Sequence, residues 1–187
     1  MTRIAAAAVL AFLSTAASAR EIEGVKVPET LDAGGSTLVL NGAGVRKKSF
    51  LKVKVYVGAL YLASPSKDPQ AIVASDEPKA VRMVFMRGVD RDRILDTFKE
   101  GFEKNSKPRL ADLLPKLETI RPAIPAEVKE GQVLSVVYEP GKGTAVAVEG
   151  GEAVTVEGKD FADALFRIWL GKEPADSDLK EGMLAGG

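Results

Sequence analysis

The chain contains no cysteine and no histidine among its 187 residues. Without thiols there is no disulfide to staple the fold, no thiolate nucleophile and no soft metal ligand. Without imidazole, the Ser-His-Asp and Cys-His arrangements, the common zinc sites and a histidine general base are excluded. Arginine, lysine, tyrosine, aspartate and glutamate remain as the chemical actors, and neither a metal nor a cofactor is expected. Net charge is lacking as well, since Lys+Arg and Asp+Glu both number 26. No basic field exists to hold nucleic acid or an anionic lipid surface by bulk electrostatics. Long apolar runs are also missing: Ile4 to Phe12 falls well short of the roughly 20 residues that cross a bilayer, and nothing later approaches that length.

That short run has another use. Thr2 and Arg3 give a basic start, and Ala17-Ser18-Ala19 supplies the small residues that a signal peptidase needs. The pattern predicts a signal peptide over 1–19, cut after Ala19, and a periplasmic or secreted product. Loss of Arg3 leaves 25 cations against 26 anions, a formal charge of −1. With 45% hydrophobic and 28% charged residues, the remaining 20–187 suit one globular domain with a sizeable core.

Strand patterns come first. Glu21 to Val27 and Ser36 to Leu40 predict two strands around turn residues Pro28, Gly34 and Gly35. Gly42 and Gly44 interrupt the second and predict a bulge or a close backbone approach just before Arg46. From Leu51 to Leu62 odd positions are apolar or aromatic, whereas the even face runs from two lysines through Tyr56 to leucines. Pro65 to Asp76 predicts a turn or two of helix, and Lys79 to Met86 a buried strand. Asp90 is placed to cap a helix carrying Ile94, Leu95, Phe98 and Phe102, and Leu110, Leu113, Leu114 and Leu117 repeat that spacing up to Pro122 and Pro125. Val133–Tyr138 and Thr144–Val148 flank a hairpin turn, with Ala153–Val156 beyond. A last helix bears Phe161, Leu165, Ile168 and Trp169, stops at Gly171, and is followed by a short helix capped by Asp176 or Ser177. Strands, helices, strands, helix is an α+β order: helices packed on one face of an antiparallel sheet.

LNGAGVRKK at 40–48, VYVGALYL at 55–62, strand then helix over 84–102, and ADALFRIWLGKEPADSDLKEGML at 162–184 resemble the chalcone isomerase superfamily, in its bacterial exported chalcone-isomerase-like branch. The resemblance covers nearly all of 20–187. It implies an open-faced β-sandwich, a large antiparallel sheet with a helical layer on one face and a ligand cleft between. In the plant enzymes a strand arginine of the GAGxR motif handles the anionic substrate oxygen during ring closure, and Arg46 matches it. A threonine on the next strand matches Tyr56, with a gap of two residues between the motifs. Relatives that bind fatty acids hold the carboxylate with an arginine and a tyrosine on these strands, and Arg46 with Tyr56 fits that pair. The enzyme's tyrosine and asparagine have no counterpart in RGVDRDRILD, and its late threonine matches Ile168. Val89 and Ile168 favour hydrocarbon there.

The resemblance therefore implies a non-catalytic binder of a fatty acid or similar amphipathic carboxylate, with Arg46 and Tyr56 as ligand-binding residues. The alternative is an intramolecular lyase of the chalcone-to-flavanone type acting on a polyphenol, with Arg46 catalytic. A third reading is a collapsed cleft and an envelope protein partner. Each residue also has a plainer role. Arg46 is a solvated strand cation beside Lys47 and Lys48, or a bidentate carboxylate anchor. Tyr56 is a boundary aromatic or the second ligand, and Tyr61, on the opposite face, is core. Trp169 and Phe166 are core or cleft lining. Gly42-Ala43-Gly44 and the GKGT at 141–144 are turns, not phosphate loops. Asp90, Asp92, Asp96 and Glu100 form a solvated or capping helix face.

Overall fold

The computed structural model describes residues 19–33, 35–48 and 51–186. Apart from Ala19, the expected signal peptide lies outside the described residues, as does Gly34. The chain opens with two short strands, β1 (Ala19–Ile22) and β2 (Val25–Pro28), paired as an antiparallel hairpin. This corrects the single strand expected over 21–27. The turn is made by Glu23 and Gly24, with φ of 51° and 80°. Two consecutive left-handed residues match the twist of a tight hairpin, and glycine takes the second without steric cost.

Next come β3 (Thr30–Ala33), β4 (Ser36–Lys48), β5 (Val53–Leu62), the short α1 (Pro69–Ala74) and β6 (Lys79–Phe85). A two-residue strand β7 (Val89–Asp90) leads into α2 (Arg91–Asn105), α3 (Leu110–Thr119) and β8 (Glu127–Val128), which pairs with β7. The chain continues through β9 (Val133–Glu139), β10 (Gly143–Val148), β11 (Val154–Val156), α4 (Lys159–Leu170) and α5 (Ser177–Leu184). Seven strands form one sheet in the order β11-β10-β9-β6-β5-β4-β3, with every pair antiparallel. The α+β class is as expected. Asp90 stands at the start of α2, but its side chain makes no capping bond, whereas Asp176 caps α5 through the Leu179 N–H. In α3 only Leu113 and Leu117 are fully buried; Leu114 is half-buried, and the helix ends at Thr119, ahead of Pro122.

The sheet has two unequal faces. One carries the main core, where Leu60, Val81, Leu134 and Val136 meet Phe98, Phe102, Phe161 and Trp169 of α2 and α4. The other carries a smaller cluster of Leu38, Val57, Ala59 and Tyr61 with Val27 of the hairpin, and the Tyr61 hydroxyl donates to Pro28 O at 2.9 Å. Tyr61 is core, as expected.

The glycines of β4 serve a close approach. A Cβ on Gly42 would lie 2.3 Å from Gly182 O and 2.7 Å from Met183 O, and Gly182 in turn has no room against Ala43 O at 2.7 Å. Helix α5 therefore rests backbone to backbone on β4. Asn41, fully buried at the bulge beside Gly42, ties down both sides: its amide donates to Met183 O and Ser66 O, and its Oδ1 accepts from Ser66 N.

One buried charge was not foreseen. Lys79 Nζ donates to Ile72 O, Val73 O and Ser75 O at 2.8, 3.2 and 2.7 Å, closing the end of α1, and it sits 5.3 and 5.5 Å from the ring centres of Tyr138 and Phe166. Burial, helped by Lys159, pushes its pKa down to about 8. In the unfolded chain a lysine keeps its proton up to about 10.4.

Two predictions follow from this packing. Gly42→Ala forces α5 off β4 and should cost about 1–3 kcal/mol, read from the urea unfolding midpoint. Between about pH 8 and about 10.4 the unfolded chain binds more protons at position 79 than the folded one. The stability difference between the natural protein and Lys79→Met should therefore shift in favour of the natural protein as pH rises through that window.

Candidate functional site

On the helix-facing side β4 presents Gly42, Gly44 and then Arg46. The two glycines lie under α5, so Arg46 is the first side chain on this side of β4 to emerge beyond that helix. On β5 its direct partner is Tyr56. The ladder then slips, because Arg46 pairs with Tyr56 while Lys47 pairs with Lys54. Val55 is the extra residue of a β-bulge, which breaks the alternation expected from Leu51 onward. Before the bulge Val53 and Val55 line the cleft; after it Tyr56, Leu60 and Leu62 face the helices while Val57, Ala59 and Tyr61 face the opposite cluster. Lys54 points to the far face, where it pairs with Glu23 at 2.7 Å.

The structure thus brings the two expected site residues together. The Arg46 guanidinium carbon lies 5.7 Å from the centre of the Tyr56 ring, and its Nε is buried with no hydrogen-bond partner among the described residues. The Tyr56 ring is buried and tilts against Phe85 at 5.7 Å. Its hydroxyl accepts a hydrogen bond from Trp169 Nε1 at 3.0 Å. Burial pushes the phenol's pKa up, against the opposing pull of Arg46 and of the Trp169 bond. The hydroxyl therefore stays protonated and keeps a proton to donate.

Trp169 is both core and site. It is 1% exposed and packs edge-on against Phe98 and Phe166. Its indole N–H can only donate, and a buried indole needs an acceptor. That demand was readable from the sequence, but not that Tyr56, 113 positions away, would meet it. Phe166 stays in the core beside Lys79.

Arg46 and Tyr56 open onto a cleft of about 400 Å³ between β4 to β6 and α2. Its walls include Val53, Val55, Met83, Phe85, Ile94 and Phe98, and both Val89 and Ile168 line it as the motif comparison implied. The mouth is basic, a feature the sequence reading missed: Lys48, Arg87 and Arg93 are exposed there with Asp90, and the Glu127 carboxylate lies over Gly88. Of the other helix carboxylates, Asp92 pairs with Arg121 at 2.6 Å, and Asp96 and Glu100 are solvated. Among the described residues no cluster of acidic side chains is arranged to hold a metal, and none of the helices is long and apolar enough to cross a membrane. Gly42-Ala43-Gly44 lies inside β4, and the GKGT segment spans the β9–β10 turn and the start of β10.

The chain is similar in structure to a fatty-acid binding protein from Arabidopsis thaliana. The TM-score is 0.65 at 16% sequence identity, covering 89% of this chain and 96% of that one, which makes it a likeness of fold. Among curated protein sequences, none matches significantly. The family model for chalcone isomerase-like proteins matches residues 19–185, and the chain belongs to that family.

Proposed function

We propose that this protein is an exported, non-catalytic carrier or sensor that holds a fatty acid or similar amphipathic carboxylate, head on Arg46 and Tyr56 and tail along the apolar cleft. The observation that carries this reading is a pair of donors without an acceptor. Arg46 Nε is buried and unsatisfied, and Trp169 occupies one lone pair of the Tyr56 oxygen from behind, which leaves the phenol proton free. A buried donor without a partner costs about 1–3 kcal/mol. A carboxylate supplies two acceptor oxygens at once and forms charge-assisted bonds to a guanidinium. The walls then contribute roughly 0.8 kcal/mol per buried methylene. The plant protein of similar fold is a fatty-acid binding protein, which supports the assignment.

The lyase alternative asks the same cleft to orient a polyphenol. Besides Arg46 and Tyr56 its interior offers mainly hydrocarbon, with Val89 and Ile168 where the enzymes carry polar groups. One guanidinium binds an oxyanion, but a rigid aromatic substrate with several hydroxyls needs further partners to be held for ring closure.

The chain has a single tryptophan, so its emission reports on the Tyr56 contact directly. Titration with dodecanoate should change Trp169 emission and displace a fluorescent fatty acid. Arg46→Ala should weaken binding by about tenfold to a hundredfold, with thermal unfolding little changed. Tyr56→Phe and Trp169→Phe should each weaken it by a smaller factor, and the double variant should be no worse than Tyr56→Phe alone, since both act through one hydroxyl. Unchanged affinity in Arg46→Ala sinks the reading. Export is checked separately: the protein recovered from its source cell envelope or medium should begin at Arg20.

A further inference from the structure

Resting on the carrier reading, we propose that the cleft is built for an amphiphile whose head carries two negative charges: a phosphate monoester on a single alkyl chain. A monocarboxylate satisfies Arg46 and Tyr56 but leaves the rest of the mouth unanswered. Lys48 follows Arg46 two residues on along β4, paired with Val53 of the cleft wall, while Arg87 and Arg93 come from the loop after β6 and the first turn of α2. Four cations thus line one opening where Asp90 is the one acidic lining residue, with Glu127 over Gly88 and Asp176 beside Lys47 close by.

Several arginines elsewhere meet carboxylates, although Arg82 and Arg91 make no ion pair among the described residues. Arg109 pairs with Asp112 and Asp160, Arg121 with Asp92 and Glu118, and Arg167 with Asp163. Lys48, Arg87 and Arg93 make no ion pair among the described residues. Like charges gathered without counter-ions repel, and a ligand that neutralises them gains what the free protein lacks. α2 begins at the same rim with no side chain capping its first turn, which adds to the positive potential there.

A phosphate monoester matches this arrangement in charge and in shape. It carries about −1.5 to −2 near neutral pH and has three terminal oxygens on a tetrahedral centre. One oxygen can take the place of the carboxylate on Arg46 and Tyr56, while the others face Lys48, Arg87 and Arg93. Planar guanidinium forks suit phosphate oxygens well, and the alkyl chain keeps the same apolar walls.

The test compares dodecyl phosphate, dodecanoate and inorganic phosphate by calorimetry and by Trp169 emission, on the full mature chain at fixed ionic strength. Dodecyl phosphate should bind about tenfold tighter than dodecanoate, and its advantage should grow as pH rises through about 6, where the phosphate loses its second proton. In the combined variant Lys48→Gln, Arg87→Gln, Arg93→Gln the two amphiphiles should bind with equal affinity and with a weaker salt dependence. Equal affinity of the two in the natural protein overturns the proposal and leaves the fatty-acid reading standing. Inorganic phosphate binding as tightly as dodecyl phosphate also overturns it, since the chain would then contribute nothing. If neither amphiphile binds, this proposal and the carrier reading fall together.

Discussion

One extra residue in β5 decides what the cleft is made of. At the Val55 bulge the strand advances two residues where β4 advances one. Side chains in a strand alternate with period two, so a slip of one residue exchanges the faces completely. Val53 and Val55 therefore share the helix side with Tyr56, and Val57, Ala59 and Tyr61 turn to the opposite cluster. A regular strand could give the cleft its valines or its phenol, but not both. The same bulge leaves Arg46 directly across from Tyr56, at the point where α5 stops covering β4.

Backbone contact prepares the site from the other side. Gly42, Gly44 and Gly182 let α5 lie on β4 with no side chains between, and Asn41 fastens the end of that helix to the loop after β5. The Asp176 carboxylate that starts α5 accepts from the Lys47 N–H at 2.9 Å, one residue from the guanidinium. Arg46 thus stands on backbone held in place by a packed helix. The Trp169 bond does the same for Tyr56, fixing which way its proton can point. Both side chains are positioned by elements distant in sequence, and groups held in this way can bind without losing much freedom.

The sequence made much of this legible. Motif order identified the fold, the glycine spacing in β4 announced a close approach, and the change in character of β5 at Tyr56 marked a boundary. Other features were out of reach. The Glu23-Gly24 hairpin depends on a glutamate at positive φ, a conformation that its residue type does not advertise. The bulge hides because Val53, Val55 and Val57 look alike on paper, although the first two face the cleft and the third does not. The Trp169–Tyr56 bond and the basic rim join residues from strand, loop and helix, and only the tertiary arrangement brings them together. Lys79 was hidden for the same reason, as a lysine at a strand start looks solvated until a helix end closes over it.

The energetics of the cleft point the same way as its shape. A buried Arg46 Nε without an acceptor and three rim cations without counter-ions are both unfavourable in the free protein, although the Arg46 guanidinium does pack over the Tyr56 ring. Elsewhere the chain shows that it can answer such groups: Lys79 receives three carbonyls, Trp169 a hydroxyl and Asn41 three backbone partners. Buried polar atoms of Arg91, Ser106 and Thr144 are also without a partner among the described residues, but of these groups only Arg46 lines an apolar cleft. A donor so placed is where a ligand contributes what the protein leaves out, and a ligand that binds only the folded state stabilises it in proportion. The proposed ligand, an anion attached to hydrocarbon, would supply acceptors to the Arg46 donor and to the rim cations.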